Sequence, residues 1–143
     1  MNNLFKFTVL ILLTISTQAV GNENFFSEAK NLFDKGKIEE SKFLFQRNIV
    51  FNPKDSKSYL YLAKIYETEE NDVEKEKNIN TTLLLEPDNE EAMYMLIDVK
   101  LKKSDFEQVK KLRNDFEVIC KTLCSKLKSI DERLINIEAK NES

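Results

Sequence analysis

Apolar residues recur along this chain three and four positions apart rather than two, so they mark faces of helices and not of strands. Phe25, Ala29 and Leu32 share one such face, Tyr59, Leu62, Ala63 and Tyr66 a second, and Met93, Leu96 and Ile97 a third. Gly36, Asn52-Pro53, Glu86-Pro87 and Ser104-Asp105 interrupt the pattern. Glycine accepts the left-handed conformation that closes a helix, and proline pushes the residue before it out of the helical region. Cutting the pattern there predicts helices near 23–35, 38–51, 55–68, 72–85, 88–102, 105–120 and 124–138. Local caps agree with the cuts. Ser104 with Glu107 reads as a capping box for the sixth helix, and Asn71 with Glu74 and Asp88 with Glu91 give similar starts to the fourth and fifth.

The helices repeat. Pro53 and Pro87 lie 34 positions apart, in the matching contexts Ile49-Val50-Phe51-Asn52-Pro53-Lys54-Asp55 and Leu83-Leu84-Leu85-Glu86-Pro87-Asp88-Asn89. The run from Ala29 through Gly36 to Ser41 closely resembles the A helix, turn and B helix of the tetratricopeptide repeat, whose length is about 34 residues. The resemblance implies an all-α fold: a short right-handed α-solenoid of helix-turn-helix hairpins with a C-terminal capping helix. The repeat domain then covers 22–138, with units about 22–55, 56–89 and 90–121 and the capping helix about 124–138; a polar tail follows at 139–143. In that frame Ala29 and Ala63 let paired helices approach closely, and Phe25, Tyr59, Phe45 and Phe106 fill the layer between hairpins. The chain departs from the family pattern at four places. Glu70 stands where glycine is usual, Lys75 where alanine is usual, and Ile97 at a small position; the third unit has no closing proline.

Residues 1–20 have a different character. One lysine, Lys6, precedes the apolar run Phe7 to Ile15, which is shorter than the roughly 20 residues a bilayer span needs. Ser16, Thr17, Ala19 and Gly21 follow, so cleavage after Ala19 or Gly21 suits a signal peptidase. The expectation is a secretory signal and an exported protein of the bacterial periplasm. A retained anchor in the inner membrane is the alternative, and only then is a membrane a partner.

Charge and composition narrow the function further. With 22 basic and 25 acidic residues the net charge is -3, which gives no footprint for nucleic acid. The basic stretch Lys100, Lys102, Lys103, Lys110, Lys111 and Arg113 is interleaved with Glu107 and reads as a solvated face. Two glycines and two prolines are too few for an all-β fold. The absence of histidine removes His-based triads and the commonest zinc ligand, and no carboxylates pair in a catalytic pattern, so neither an enzyme nor a cofactor is expected. Asn80-Thr81-Thr82 and Asn141-Glu142-Ser143 match the glycosylation acceptor pattern, which matters only in a eukaryotic secretory pathway. Cys120 and Cys124 are the only local feature with chemistry. At a helix corner of an exported protein they suit a disulfide that pins the last helix to the third hairpin. The alternative is two reduced, partly buried thiols.

The resemblance also implies where a partner would sit. In tetratricopeptide proteins the A helices line a concave groove that receives a protein or peptide. Transferring the frame places Phe26, Lys30, Phe33 and Asp34 there from the first unit, Lys57, Leu60, Lys64 and Glu67 from the second, and Glu91, Tyr94, Asp98 and Leu101 from the third. Some of these side chains could instead pack against a neighbouring hairpin. Members that hold chaperone tails use a lysine and asparagine clamp, but Phe26 and Lys30 occupy the first clamp places here, so that subclass is not implied.

Overall fold

The structure, a computed structural model, describes residues 25–141, with side chains described through residue 136. The expected signal over 1–20 lies outside the described residues, as do the end of the polar tail and two residues of the Asn141-Glu142-Ser143 pattern. The described residues form seven helices and no strand: α1 Phe25–Asp34, α2 Ile38–Phe51, α3 Ser56–Thr68, α4 Asp72–Leu85, α5 Glu90–Lys102, α6 Phe106–Ile119 and α7 Lys126–Asn141. Every end falls within three residues of the sequence expectation, and α2 and α4 coincide with it. Helices α1 and α2, α3 and α4, and α5 and α6 pair as hairpins; each hairpin stacks on the next, and α7 packs on α6.

The three hairpin turns share one geometry. Gly36, Glu70 and Ser104 stand 34 positions apart, and each adopts a left-handed backbone, with φ of 73°, 56° and 55°. In each, the following N–H reaches back to a carbonyl five residues earlier: Lys37 to Leu32 at 2.9 Å, Asn71 to Tyr66 at 2.9 Å, and Asp105 to Lys100 at 3.0 Å. This is the Schellman closure, which satisfies the carbonyls a helix end leaves free. It also explains a correction. Ser104 is the left-handed residue rather than the cap of α6, and the cap is Asp105, whose side chain accepts from Gln108 N–H. For α5 the cap is Asn89 rather than Asp88, accepting from Ala92 N–H at 2.9 Å. Asn71 caps α4 as expected, accepting from Glu74 N–H at 3.1 Å. A left-handed side-chain-bearing residue costs about 1–2 kcal/mol, and glycine gives back part of that in backbone entropy. Glu70→Gly should therefore stabilise the protein by about 0.5–1 kcal/mol, read as a higher urea midpoint at unchanged m-value; a lower midpoint would count against the repeat frame at this turn.

Burial follows the same period. Ala29, Ala63 and Ile97, one from each first helix, are completely buried, as are Ser41, Lys75 and Val109 on the second helices. Asn48, Thr82 and Phe116 form a third buried set at 34-residue spacing. A fourth set faces the preceding hairpin: Leu62, Leu96 and Ile130 are buried there, and the corresponding position in α1 is the exposed Glu28. Among the described residues no hairpin packs on that face of α1, and a charge stands there. Phe25 and Phe45 fill the core as expected, whereas Tyr59 and Phe106 are only partly buried. The Tyr59 hydroxyl donates to the Pro53 carbonyl at 3.2 Å, which keeps the ring at the loop rather than in the layer.

Polar groups inside are satisfied. Ser41 Oγ donates to the Ala29 carbonyl at 2.8 Å, stitching α2 to α1. Asn48 donates to Asp55 at 2.7 Å and to Ser58 at 2.9 Å, tying α2 to the start of α3. Among the described residues no buried side-chain nitrogen or oxygen lacks a partner. Between hairpins, Glu76 of α4 accepts from Lys100 at 2.7 Å and from Lys103, and these two ammoniums hold its pKa below the ordinary carboxylate range. Lys102 pairs with Asp72, and Arg113 binds Asp131 of α7 through two nitrogens at 2.9 and 3.1 Å. Much of the basic stretch is thus tied to carboxylates of neighbouring helices.

Candidate functional site

Each first helix of a pair has three faces. One packs on its own partner helix through Ala29, Ala63 or Ile97; one packs on the preceding hairpin through Leu62 or Leu96; the third is left to the inner side of the stack. The sequence-derived groove residues belong to that third face, and the structure distributes them unevenly. Phe33, Lys64, Glu67, Glu91, Tyr94 and Asp98, drawn from α1, α3 and α5, line a single open concavity of about 490 Å³. Thr68, Met95, Leu123 and Lys126 complete its wall. Phe26 and Lys57 line a separate concavity of about 630 Å³ beside the α2–α3 loop, together with Asn48, Phe51 and Pro53. Lys30 and Asp34 pair with each other at 2.5 Å on the surface of α1. Leu60 and Leu101 correct the expectation. They are 7% and 3% exposed and belong to the apolar core, and Leu60 reaches only the edge of a separate concavity of about 420 Å³ beside Glu90, Thr122 and Leu123.

Sequence reasoning missed the ring at the centre of the first half. Tyr61 stacks on Phe45 with centroids 5.0 Å apart and an interplanar angle of 18°, and it meets Phe33 edge-on at 5.1 Å and Phe26 at 5.8 Å. The Lys64 ammonium lies 4.8 Å from the Tyr61 centroid and Lys30 6.0 Å from it. Lys126 lies 5.5 Å from the Tyr94 ring. The available signal was the period itself, since Tyr61 and Met95 are 34 positions apart and one step away from Leu60 and Tyr94.

Each carboxylate of the concavity is paired with a cation. Lys64 bridges to Glu91 at 2.8 Å, Lys75 reaches Glu67 at 2.7 Å, and Arg133 of α7 pairs with Asp98. Aromatic faces held beside paired charges, on rigid helices, suit an extended chain carrying apolar and charged side chains.

The two cysteines are joined, with sulfurs 2.11 Å apart. Cys120 stands 34 residues beyond Glu86, so it closes α6 as Asn52 and Glu86 close α2 and α4, and Lys121 stands where Pro53 and Pro87 would. The disulfide thus occupies the corner that lacks a proline. Its loop is short, so closure contributes about 2 kcal/mol, the low end for such bonds. Inside the ring the N–H groups of Lys121, Thr122 and Leu123 converge on the Glu90 carboxylate at 2.9, 2.9 and 2.8 Å, and the Thr122 hydroxyl donates to it at 3.1 Å. These donors, Leu123 N–H first and Lys121 N–H next, hold the Glu90 pKa at about 2 against the opposing cost of desolvation.

No protein-family model matches the chain, and no curated protein matches it by comparison either. Solved structures do. The type III secretion translocator chaperone SycD of Yersinia enterocolitica superposes with a TM-score of 0.71 at 17% identity, over 95% of this chain and 94% of that one. The fold is that of a tetratricopeptide-repeat protein. The first tetratricopeptide domain of Spaghetti (RPAP3), solved bound to the HSP90 peptide SRMEEVD, gives 0.65 at 15% identity, over 78% of this chain and 90% of that one. The CopN–Scc3 complex gives 0.62 at 19% identity, over 89% of this chain and 73% of that one. These likenesses establish the tetratricopeptide fold, an all-α solenoid of helical hairpins.

Proposed function

We propose that this tetratricopeptide-fold protein is a non-catalytic interaction scaffold that holds an extended segment of a partner protein in its inner groove. The observation that carries the proposal is that Phe33, Lys64, Glu67, Glu91, Tyr94 and Asp98, spread over three hairpins, meet in one open concavity in which Phe33 and Tyr94 are only partly buried. Of the structural neighbours, one is a translocator chaperone and another is bound to a peptide, which supports the same reading. Export belongs to the proposal as well, with the partner in a cell-envelope assembly. It rests on the apolar run and small residues of 1–20 and on a disulfide, which persists in oxidising compartments.

The test is photo-crosslinking. A benzoylphenylalanine in place of Phe33 or Tyr94 should capture one shared partner in the native host. The same probe at Leu84 or Val118, which are 81% and 85% exposed on α4 and α6, should capture it at least several-fold less. Equal yields from all four positions would reject the groove. N-terminal sequencing of the mature protein checks export: a start at Val20 or Asn22 fits cleavage, and an intact Met1 means a retained anchor.

A further inference from the structure

The corner between α6 and α7 does more than turn the chain. Its six residues, 120–125, supply three backbone donors and one hydroxyl to Glu90, a residue of the first turn of α5. Three consecutive N–H groups point at one carboxylate only while the loop is held in a tight curl. The bond between Cys120 and Cys124 spans that curl from end to end. Two groups of the groove wall depend on it, Leu123 within the ring and Lys126 just beyond it at the start of α7, whose ammonium lies over Tyr94. Other holds on α7 are the buried Ile130, the partly buried Leu127 and Leu134 packed beside it, and the pairs Arg113–Asp131 and Arg133–Asp98; Asp131 and Arg133 are partly exposed, and exposed pairs hold weakly. Cys124 is exposed, so a soluble thiol can reach its sulfur.

We propose that the Cys120–Cys124 ring is a redox latch: closed, it cradles Glu90 and seats α7 at the distal end of the groove, and opened by a dithiol reductant it releases both. The reaction balances as an ordinary exchange. A thiolate of the dithiol attacks Cys124 sulfur and Cys120 leaves as a thiolate that takes up a proton. The second thiol of the reagent then attacks its own sulfur of the mixed disulfide and frees Cys124. Two electrons and two protons pass to the cysteines, and the dithiol becomes a disulfide. With the ring open the loop regains its freedom, the three donors no longer converge, and Leu123 and Lys126 leave the wall. The part of the proposal that concerns partner binding rests on the groove reading above.

Two measurements separate the latch from the groove. The first needs no partner: amide hydrogen exchange of the full chain, oxidised and after dithiothreitol. Reduction should speed exchange at 121–123 and through the first two turns of α7 by at least tenfold while α1 to α4 change by less than twofold. The double variant Cys120→Ser/Cys124→Ser should exchange like the reduced protein with or without dithiothreitol. Glu90→Gln, oxidised, should speed 121–123 severalfold. Unchanged exchange in α7 on reduction overturns the latch. The second uses the benzoylphenylalanine probes: reduction should cut capture from position 94 at least fivefold and leave position 33 within twofold. Equal capture at both positions in both redox states overturns the coupling to the groove. Failure of both probes in both states rejects the groove reading instead, and the exchange result still decides the latch.

Discussion

Phe45→Ala is expected to destabilise the protein by about 3–5 kcal/mol and to unfold the first hairpin before the others. Phe45 is completely buried, stacks on Tyr61 and touches Phe26 at 5.7 Å. It anchors a cluster with Ala29, Leu62 and Ile65, distinct from the larger cluster that runs from Leu60, Ala63 and Ile79 of α3 and α4 through α5, α6 and α7. Removing the ring leaves a cavity that two stacked helix pairs cannot close without moving. Because each hairpin of a solenoid contacts only its neighbours, the damage stays local. Urea unfolding followed by circular dichroism should show a first transition at lower denaturant, and hydrogen exchange should assign it to α1 and α2. The same variant removes the ring beneath Tyr61, so capture from the probe at position 33 should fall while capture from position 94 persists. A single cooperative transition shifted by less than 1 kcal/mol would show that the two clusters act as one core.

The fold was legible because three independent signals agreed on one period: proline spacing, small residues at Ala29 and Ala63, and helix caps. Glu70, which departs from the family's glycine, and Ser104, which reads as a cap, both adopt the left-handed turn that Gly36 adopts, because the closure of the helix end imposes the conformation whatever the side chain. Sequence placed the cap of α6 one residue early for the same reason, since Ser104 is committed to that closure, and the cap of α5 one residue early because Asn89 rather than Asp88 accepts from the first turn. The groove was legible only in part. The frame selected a helix face, but a face two residues wide shades from solvent into core, and Leu60 and Leu101 fell on the buried side. Tyr61, Leu123 and Lys126 escaped because their place depends on how neighbouring hairpins and α7 stack, which no spacing within one helix encodes. The cysteine pair was legible as a corner, but its hold on Glu90 was not, since that joins residues 31 to 33 positions apart through backbone donors.

Glu67→Ala and Lys75→Met should move stability in opposite directions, although they remove the two halves of one ion pair. Lys75 stands at the position filled by Ser41 in the first unit and Val109 in the third, and its side chain is completely buried. Its ammonium reaches Glu67, whose side chain is 49% exposed, so the charge is carried from the core to the groove wall. Cutting Glu67 back to alanine strands that ammonium beneath the surface and should cost about 1–3 kcal/mol. Lys75→Met keeps the stem's volume, removes the cost of burying a charge and leaves Glu67, 49% exposed, in contact with water, so it should be neutral or stabilising. The double variant should resemble Lys75→Met alone, which a double-mutant cycle by urea unfolding would read as a coupling of the two sites. Binding separates them again. Glu67 lines the concavity and Lys75 does not, so Lys75→Met restores stability to the Glu67→Ala background without restoring capture from position 94. If Lys75→Met instead destabilised as strongly as Glu67→Ala, the lysine would be a structural strut between α3 and α4 rather than a charge tolerated for the sake of the groove.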